Sequence, residues 1–148
     1  MVTEISGDIF QSKMQTLVNP VNRAGVMGKG LALEFKNRYP EMFSHYKLCC
    51  YYNFLTPYVF KRDTEPWILI FPTKDHWKEP SKLNYILTFV DYLKSYYKQW
   101  GITSLAVPAL GCGCGDLKWE DVRPQLLKKL EEFDIPIELY GPAEVVKR

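Results

Sequence analysis

The sequence predicts a single α/β layered domain, and three features carry that expectation. Apolar segments suited to strands alternate with amphipathic segments suited to helices, and no linker or internal repeat interrupts them. The 148 residues match one domain, long enough to bury roughly two thirds of the unfolded surface without staples. Apolar residues make up 47% and charged residues 24%, a globular balance that excludes a disordered or collagen-like chain.

Taken in order, Val2 to Ser6 and Thr16 to Val21 read as short strands separated by the turn-forming Gly7-Asp8. A helix is expected from Lys29 to Tyr39, ended by Pro40, and a second from Glu41 to Tyr51. Tyr58 to Lys61 and Trp67 to Phe71 follow as strands. The clearest helix spans Ser81 to Trp100, where Leu83, Ile86, Leu87, Val90, Leu93, Tyr97 and Trp100 recur at helical spacing. Ser81 is its expected N-cap and Gly101 its stop. Ile102 to Pro108 is an apolar run suited to a buried central strand. A last helix from Trp119 to Phe133 takes Pro124 in its early turns, and Ile135 to Tyr140 closes the sheet.

The formal charge of +2 supplies no broad basic field for non-specific nucleic-acid binding. Lys74, Lys78 and Lys82, and then Lys118, Arg123, Lys128 and Lys129, form local basic runs of the kind usually found on solvated helix faces. Cys49-Cys50 and Cys112-Gly-Cys114 lack the spacing of zinc ligands or of a disulfide framework, so free thiols are expected, even with His45 nearby. No signal peptide or apolar run of about 18 residues appears, and the expected location is a reducing cytoplasm, away from membranes.

Two glycine-rich loops carry the chemistry: Gly25-Val-Met-Gly-Lys-Gly30 after Asn19-Pro-Val-Asn22, and Gly111-Cys-Gly-Cys-Gly115 after the Ile102 strand. Each joins a strand to a helix, where backbone N–H groups free of side chains can reach phosphate oxygens. Two such loops suit a diphosphate; the plainer alternative is that both are turns. A P-loop is excluded because Arg23 stands at its first glycine position and Gly30 at its hydroxyl position. The dinucleotide fingerprint fails as well, because the first loop runs GxxGxG.

Gly7-Asp8-Ile9, the Asn19-x-x-Asn22 strand end and the two loops together resemble the macro domains, across nearly the whole chain, residues 1–148. The stretches GVMGKGLALEFKNRYP, Pro80-Ser-Lys82-Leu and LGCGCGDLKWEDV most resemble the DNA ADP-ribosyl glycohydrolase antitoxins within that family, and more loosely the terminal ADP-ribose protein glycohydrolases. The resemblance implies a three-layer α/β/α fold with a central mixed β-sheet, holding ADP-ribose with no metal and no cofactor.

On that resemblance, Asp8 accepts the adenine amino group with Ile9 beside the ring; the alternative is an Asp turn. Asn22 faces the distal ribose, or else only bonds the local backbone. Gly25, Val26, Met27, Gly28, Gly30 and Leu31 wrap that ribose and one phosphate, with Lys29 pointing to solvent. Gly111, Cys112, Gly113, Cys114 and Gly115 hold the diphosphate from the other side, and Thr73, Pro108 and Leu110 complete the lining.

Lys82 is the implied catalytic residue, reaching the anomeric carbon of the distal ribose. A cationic ammonium would stabilise or position the departing group, whereas a deprotonated amine would attack the opened sugar and would need a depressed pKa. The bland alternative is an exposed first-turn lysine. In the protein-directed relatives a second-loop aspartate assists. Gly115 stands at that position and Asp116 follows it, so Asp116 is either an acid or the N-cap of the last helix. The departure leans toward a DNA substrate. Of the aromatics Tyr46, Tyr51, Tyr52, Phe54, Tyr58, His76 and Trp77, most are expected in the core. His76 and Trp77, between Lys74 and Lys78, suit stacking on a flipped or unpaired base.

The function implied is therefore an ADP-ribosyl glycohydrolase, a monomer acting on ADP-ribosylated single-stranded DNA and reversing an ADP-ribosyltransferase toxin. The alternatives are a hydrolase of modified protein carboxylates, an ADP-ribose 1″-phosphate phosphatase, and a non-catalytic reader of ADP-ribose. Full antitoxins carry a further toxin-engaging segment; nothing in this sequence corresponds to it, and an excised domain or a stand-alone hydrolase is expected.

Overall fold

The computed structural model describes residues 1–53 and 55–142. Among the described residues, six strands form one mixed sheet: β1 (Val2–Ile5), β2 (Thr16–Asn22), β3 (Tyr58–Phe60), β4 (Trp67–Lys74), β5 (Leu105–Val107) and β6 (Ile137–Tyr140). Their order is β1-β6-β5-β2-β4-β3. Every neighbouring pair is parallel except β3 with β4, which run antiparallel. The helices are α1 (Gly30–Arg38), α2 (Pro40–Tyr51), α3 (Leu83–Trp100) and α4 (Trp119–Leu130), with a 3-10 turn at Ile9–Gln11.

Alternation along the central strands explains the three layers. On β4, Leu69 and Phe71 point into a core shared with Ile86, Val90 and Leu93 of α3 and Val122 and Leu126 of α4. Ile68 and Ile70 point the other way, into a core with Phe35 of α1 and Met42 and Tyr46 of α2. Side chains alternate with period two on a strand, so apolar residues at consecutive positions demand cover on both faces. The two helix pairs supply it, giving the expected α/β/α sandwich.

Element boundaries depart from the sequence reading where tertiary bonds intervene. Strand β4 runs on to Lys74 because its end pairs with β2 as far as Asn22. Strand β5 is only three residues long, although Ile102 is buried alongside it. Ser81 does not cap α3: Lys82 is the N-cap, and the Ser81 hydroxyl donates to Thr73 Oγ1 at 3.1 Å. Gly101 ends that helix as expected, in the left-handed region at φ +83°. Pro124 lies in the second turn of α4 and leaves the Glu120 carbonyl without its helical N–H donor. Tyr51 and Tyr52 are exposed rather than core, whereas Tyr46 is fully buried; Phe54 lies outside the described residues. Among the described residues, no helix is long and apolar enough to cross a membrane.

Candidate functional site

Because β5, β2 and β4 are neighbouring parallel strands, their C-terminal ends share one edge of the sheet, the edge where open α/β sheets take ligands. The two glycine loops leave β2 and β5 there, side by side. Their proximity is atomic: a Cβ added to Gly30 would lie 2.8 Å from Cys114 Sγ. Gly25, Gly30 and Gly111 have φ of +83°, +63° and +79°, in the left-handed region that favours glycine.

The first loop is braced from within. Asn22 Nδ2 donates to the Val26 carbonyl at 2.7 Å, while Oδ1 accepts from Ala24 N at 2.9 Å. The buried Tyr46 hydroxyl reaches both Asn22 O and Oδ1 at 2.8 Å, and burial pushes its pKa above the ordinary tyrosine value. Asn22 therefore shapes the loop with the same amide atoms that were expected to face a ribose. The Met27 side chain is buried in the α1–α2 core. Lys29 is exposed and serves as the N-cap of α1 without a side-chain cap bond.

The second loop is fastened to β4 and α3. Ser81 N donates to Gly115 O, and Lys82 N to Thr73 O, each at 2.8 Å. Lys74, a buried lysine, gives its ammonium to Cys114 O at 3.1 Å and Trp77 O at 3.3 Å. A Cβ on Gly115 would run into the Ser81 side chain, so this glycine is required by close approach. Pro108, Leu110 and Gly111 are buried beneath the loop, whereas Gly113 and Cys114 are exposed. Burial pushes the Cys112 thiol up to about 11, leaving it neutral near pH 7.

Asp8 follows β1 at the same edge and caps the 3-10 turn, its Oδ1 accepting from Phe10 N at 2.9 Å; Ile9 is buried and Leu31 half-buried. Asp116 corrects one expectation. It does not cap α4, whose N-cap is Lys118, because its backbone turns at φ +65° two residues too early.

Lys82 sits where β4, α3 and the second loop meet. Its Nζ lies 2.8 Å from Asp75 Oδ2, and Tyr85 Oη donates to Asp75 Oδ1 and Oδ2 at 2.9 and 3.0 Å. The Asp75 carboxylate raises the Lys82 pKa above the ordinary lysine value, and Lys82 in turn lowers that of Asp75. Sequence reasoning missed Asp75, although an acid at the end of a strand shortly before a helix-start lysine was a usable signal. His76 and Trp77 stack with centroids 5.4 Å apart, and Lys78 Nζ lies 5.0 Å from the centre of the exposed Trp77 ring.

Two helix pairs around a mostly parallel sheet, with paired glycine loops at one strand-end edge, define a three-layer α/β/α domain that presents backbone donors. The chain belongs to the Macro domain family, whose model matches residues 18–126. It is similar to the DNA ADP-ribosyl glycohydrolase of Mycobacterium tuberculosis, 43% identical over 150 residues that cover 97% of this chain and 43% of that protein. A DNA ADP-ribosyl transferase-DNA ADP-ribosyl glycohydrolase fusion protein of Thermosipho africanus is 38% identical over 95% of this chain and 42% of its own length. The solved structure of Thermosipho africanus DarTG in complex with ADP-ribose superposes with a TM-score of 0.92 at 39% identity, covering 99% of this chain and 42% of that one. Human ADP-ribose glycohydrolase OARD1 is 27% identical over 94% of this chain and 90% of its own. The chain spans less than half the length of the first two relatives.

Proposed function

We propose that this chain binds ADP-ribose across the C-terminal ends of β2 and β5 and hydrolyses it from ADP-ribosylated bases of single-stranded DNA, reversing an ADP-ribosyltransferase toxin. The observation that carries the reading is the contact of the two glycine loops at Gly30 and Cys114, with Lys82 anchored beside them. Backbone amides of the Gly25–Gly30 and Gly111–Gly115 loops bind the diphosphate. Asp8 takes the adenine amino group and Ile9 flanks the ring, while Val26, Met27, Leu31, Thr73, Pro108 and Leu110 complete the walls.

In the reaction the bond between C1″ of the distal ribose and the base nitrogen breaks. Water supplies a hydroxyl to C1″ and a proton to the base. Lys82 acts as an ammonium, because its Asp75 partner raises its pKa rather than depressing it. The resemblance to relatives named DNA ADP-ribosyl glycohydrolases, at up to 43% identity, supports DNA as the substrate. The exposed Trp77, with His76 and Lys78 beside it, adds a surface suited to a base and its phosphates. The fusion in Thermosipho africanus supports a transferase as partner. The domain works as a monomer in a reducing cytoplasm, consistent with four free thiols.

The similarity to human ADP-ribose glycohydrolase OARD1 extends beyond the DNA-directed relatives, and a second reading is release of ADP-ribose from protein carboxylates. Both are tested by incubating the wild type and Lys82→Ala with an ADP-ribosylated single-stranded oligonucleotide and with a glutamate-modified protein. Release from DNA by the wild type alone is expected. Release only from protein transfers the assignment to the second reading, and no release from either leaves a binding module.

A further inference from the structure

Lys82 is not a free surface lysine. Its ammonium is held by Asp75, whose side chain stands at the meeting point of three elements. The carboxylate follows β4, receives Tyr85 Oη from the first turn of α3, and lies 4.0 Å from Arg23 Nε at the root of the first glycine loop. The backbone joins the same arrangement, with Arg23 N donating to Asp75 O at 3.0 Å. One carboxylate therefore links the loop that would wrap the distal ribose to the lysine that would act on it.

Resting on the hydrolase reading above, we infer that Asp75 is the positioning residue of the reaction, fixing the Lys82 ammonium toward the departing group while Tyr85 and Arg23 fix Asp75 itself. Asp116, the acid of the second loop, turns at φ +65° and is not among the groups that bear on Lys82. The negative charge beside the lysine comes from the strand end instead. A carboxylate at 2.8 Å selects one rotamer of a side chain that otherwise has many, and removing that search is how a positioning residue raises a rate. The titratable groups that bear on Lys82 are Asp75, Tyr85 and Glu79, with Arg23 acting through Asp75.

The test compares the wild type with Asp75→Asn, Asp75→Glu and Tyr85→Phe, using Lys98→Gln as a remote control. Single-turnover release from an ADP-ribosylated oligonucleotide is measured across pH, ADP-ribose affinity by calorimetry, and Lys82 titration by NMR of reductively methylated lysines. Asp75→Asn is expected to slow release about 10- to 100-fold and to leave the ADP-ribose Kd within about threefold, since the diphosphate donors are untouched. The Lys82 midpoint should fall toward the ordinary lysine value, and the alkaline limb of the rate profile should move with it. Asp75→Glu should recover part of the rate and of the midpoint, which general loosening of the fold would not produce. Wild-type rates in Asp75→Asn, or an unmoved Lys82 midpoint, overturn the inference alone. No release by the wild type overturns the hydrolase reading and the inference with it.

Discussion

Gly30 and Cys114 sit so close that a methyl group on the glycine would come within 2.8 Å of the cysteine sulfur. The contact joins loops from β2 and β5, and Gly30 also adopts φ +63°. Gly30→Ala therefore meets both a backbone and a steric cost, the former about 1–2 kcal/mol. Under the proposed reading, ADP-ribose affinity by calorimetry falls by about tenfold or more. Cys114→Ala in the same chain should restore only the steric share, so the double mutant falls between Gly30→Ala and the wild type.

Gly113 and Gly115 provide a matched pair two residues apart. A Cβ at Gly113 meets nothing within 4 Å, whereas one at Gly115 runs into Ser81. Gly113→Ala should leave the unfolding free energy from urea titration within about 0.5 kcal/mol of wild type. Gly115→Ala should lower stability by about 1–3 kcal/mol, as overpacking does. Equal effects at the two positions would refute the packing of the second loop against the start of α3.

Tyr46→Phe removes one oxygen and little volume from a fully buried ring. The hydroxyl serves both the carbonyl and the side-chain oxygen of Asn22, so its loss leaves those acceptors a donor short. A cost of about 1–3 kcal/mol is expected in chemical denaturation. The first loop should also lose order, seen as faster amide exchange at Ala24 and Val26.

Acid should weaken the fold through carboxylates whose pKa is lowered by basic partners. Glu4 is held down by its hydrogen bonds to Arg123, Asp75 by Lys82 and Glu132 by Lys94. Groups depressed on folding contribute stability above their unfolded pKa, about 4, and lose it as pH falls through the folded value. Melting temperature should therefore decline below about pH 4, and Glu4→Gln should flatten the decline slightly, as fits a surface pair. The lysines have the opposite sign: Lys82, Lys94 and Lys98 are raised, and their contribution fades as pH climbs through their folded values.

Elements whose apolar rhythm is local were legible in the sequence. Helix α3 shows its buried stripe at Ile86, Val90, Leu93 and Tyr97, and its stop at Gly101 needs no partner from elsewhere. The beginning of the same helix was misread because Ser81 looks like a cap in one dimension but spends its hydroxyl on Thr73, eight residues back. Both glycine loops were visible as composition and strand context, yet their contact depends on β5 lying next to β2, a neighbour relation that no local pattern encodes. Asp75 left only a faint trace, an acid shortly before a helix-start lysine, because its bonds form where a strand end meets the first turn of a helix. Asn22 was singled out with two readings, and its bonds to Val26 and Ala24 are those of the local-backbone one, in a loop whose path the sequence does not draw.

Strand β6 lies between β1 and β5, with Ile137 opposite Val2 on one side and opposite Leu105 on the other. On the ribosome the earliest strand thus stays without its sheet neighbour until the last one emerges, a delay on the order of ten seconds at about 5–20 residues per second. The β2-β4-β3 portion can pair meanwhile, and the nascent sheet then extends to one side only, through β5 and β6 to β1. Translation pausing near the Ile137 codon would prolong a four-stranded partial sheet with an open β5 edge, a state exposed to capture by chaperones or by another unfinished copy.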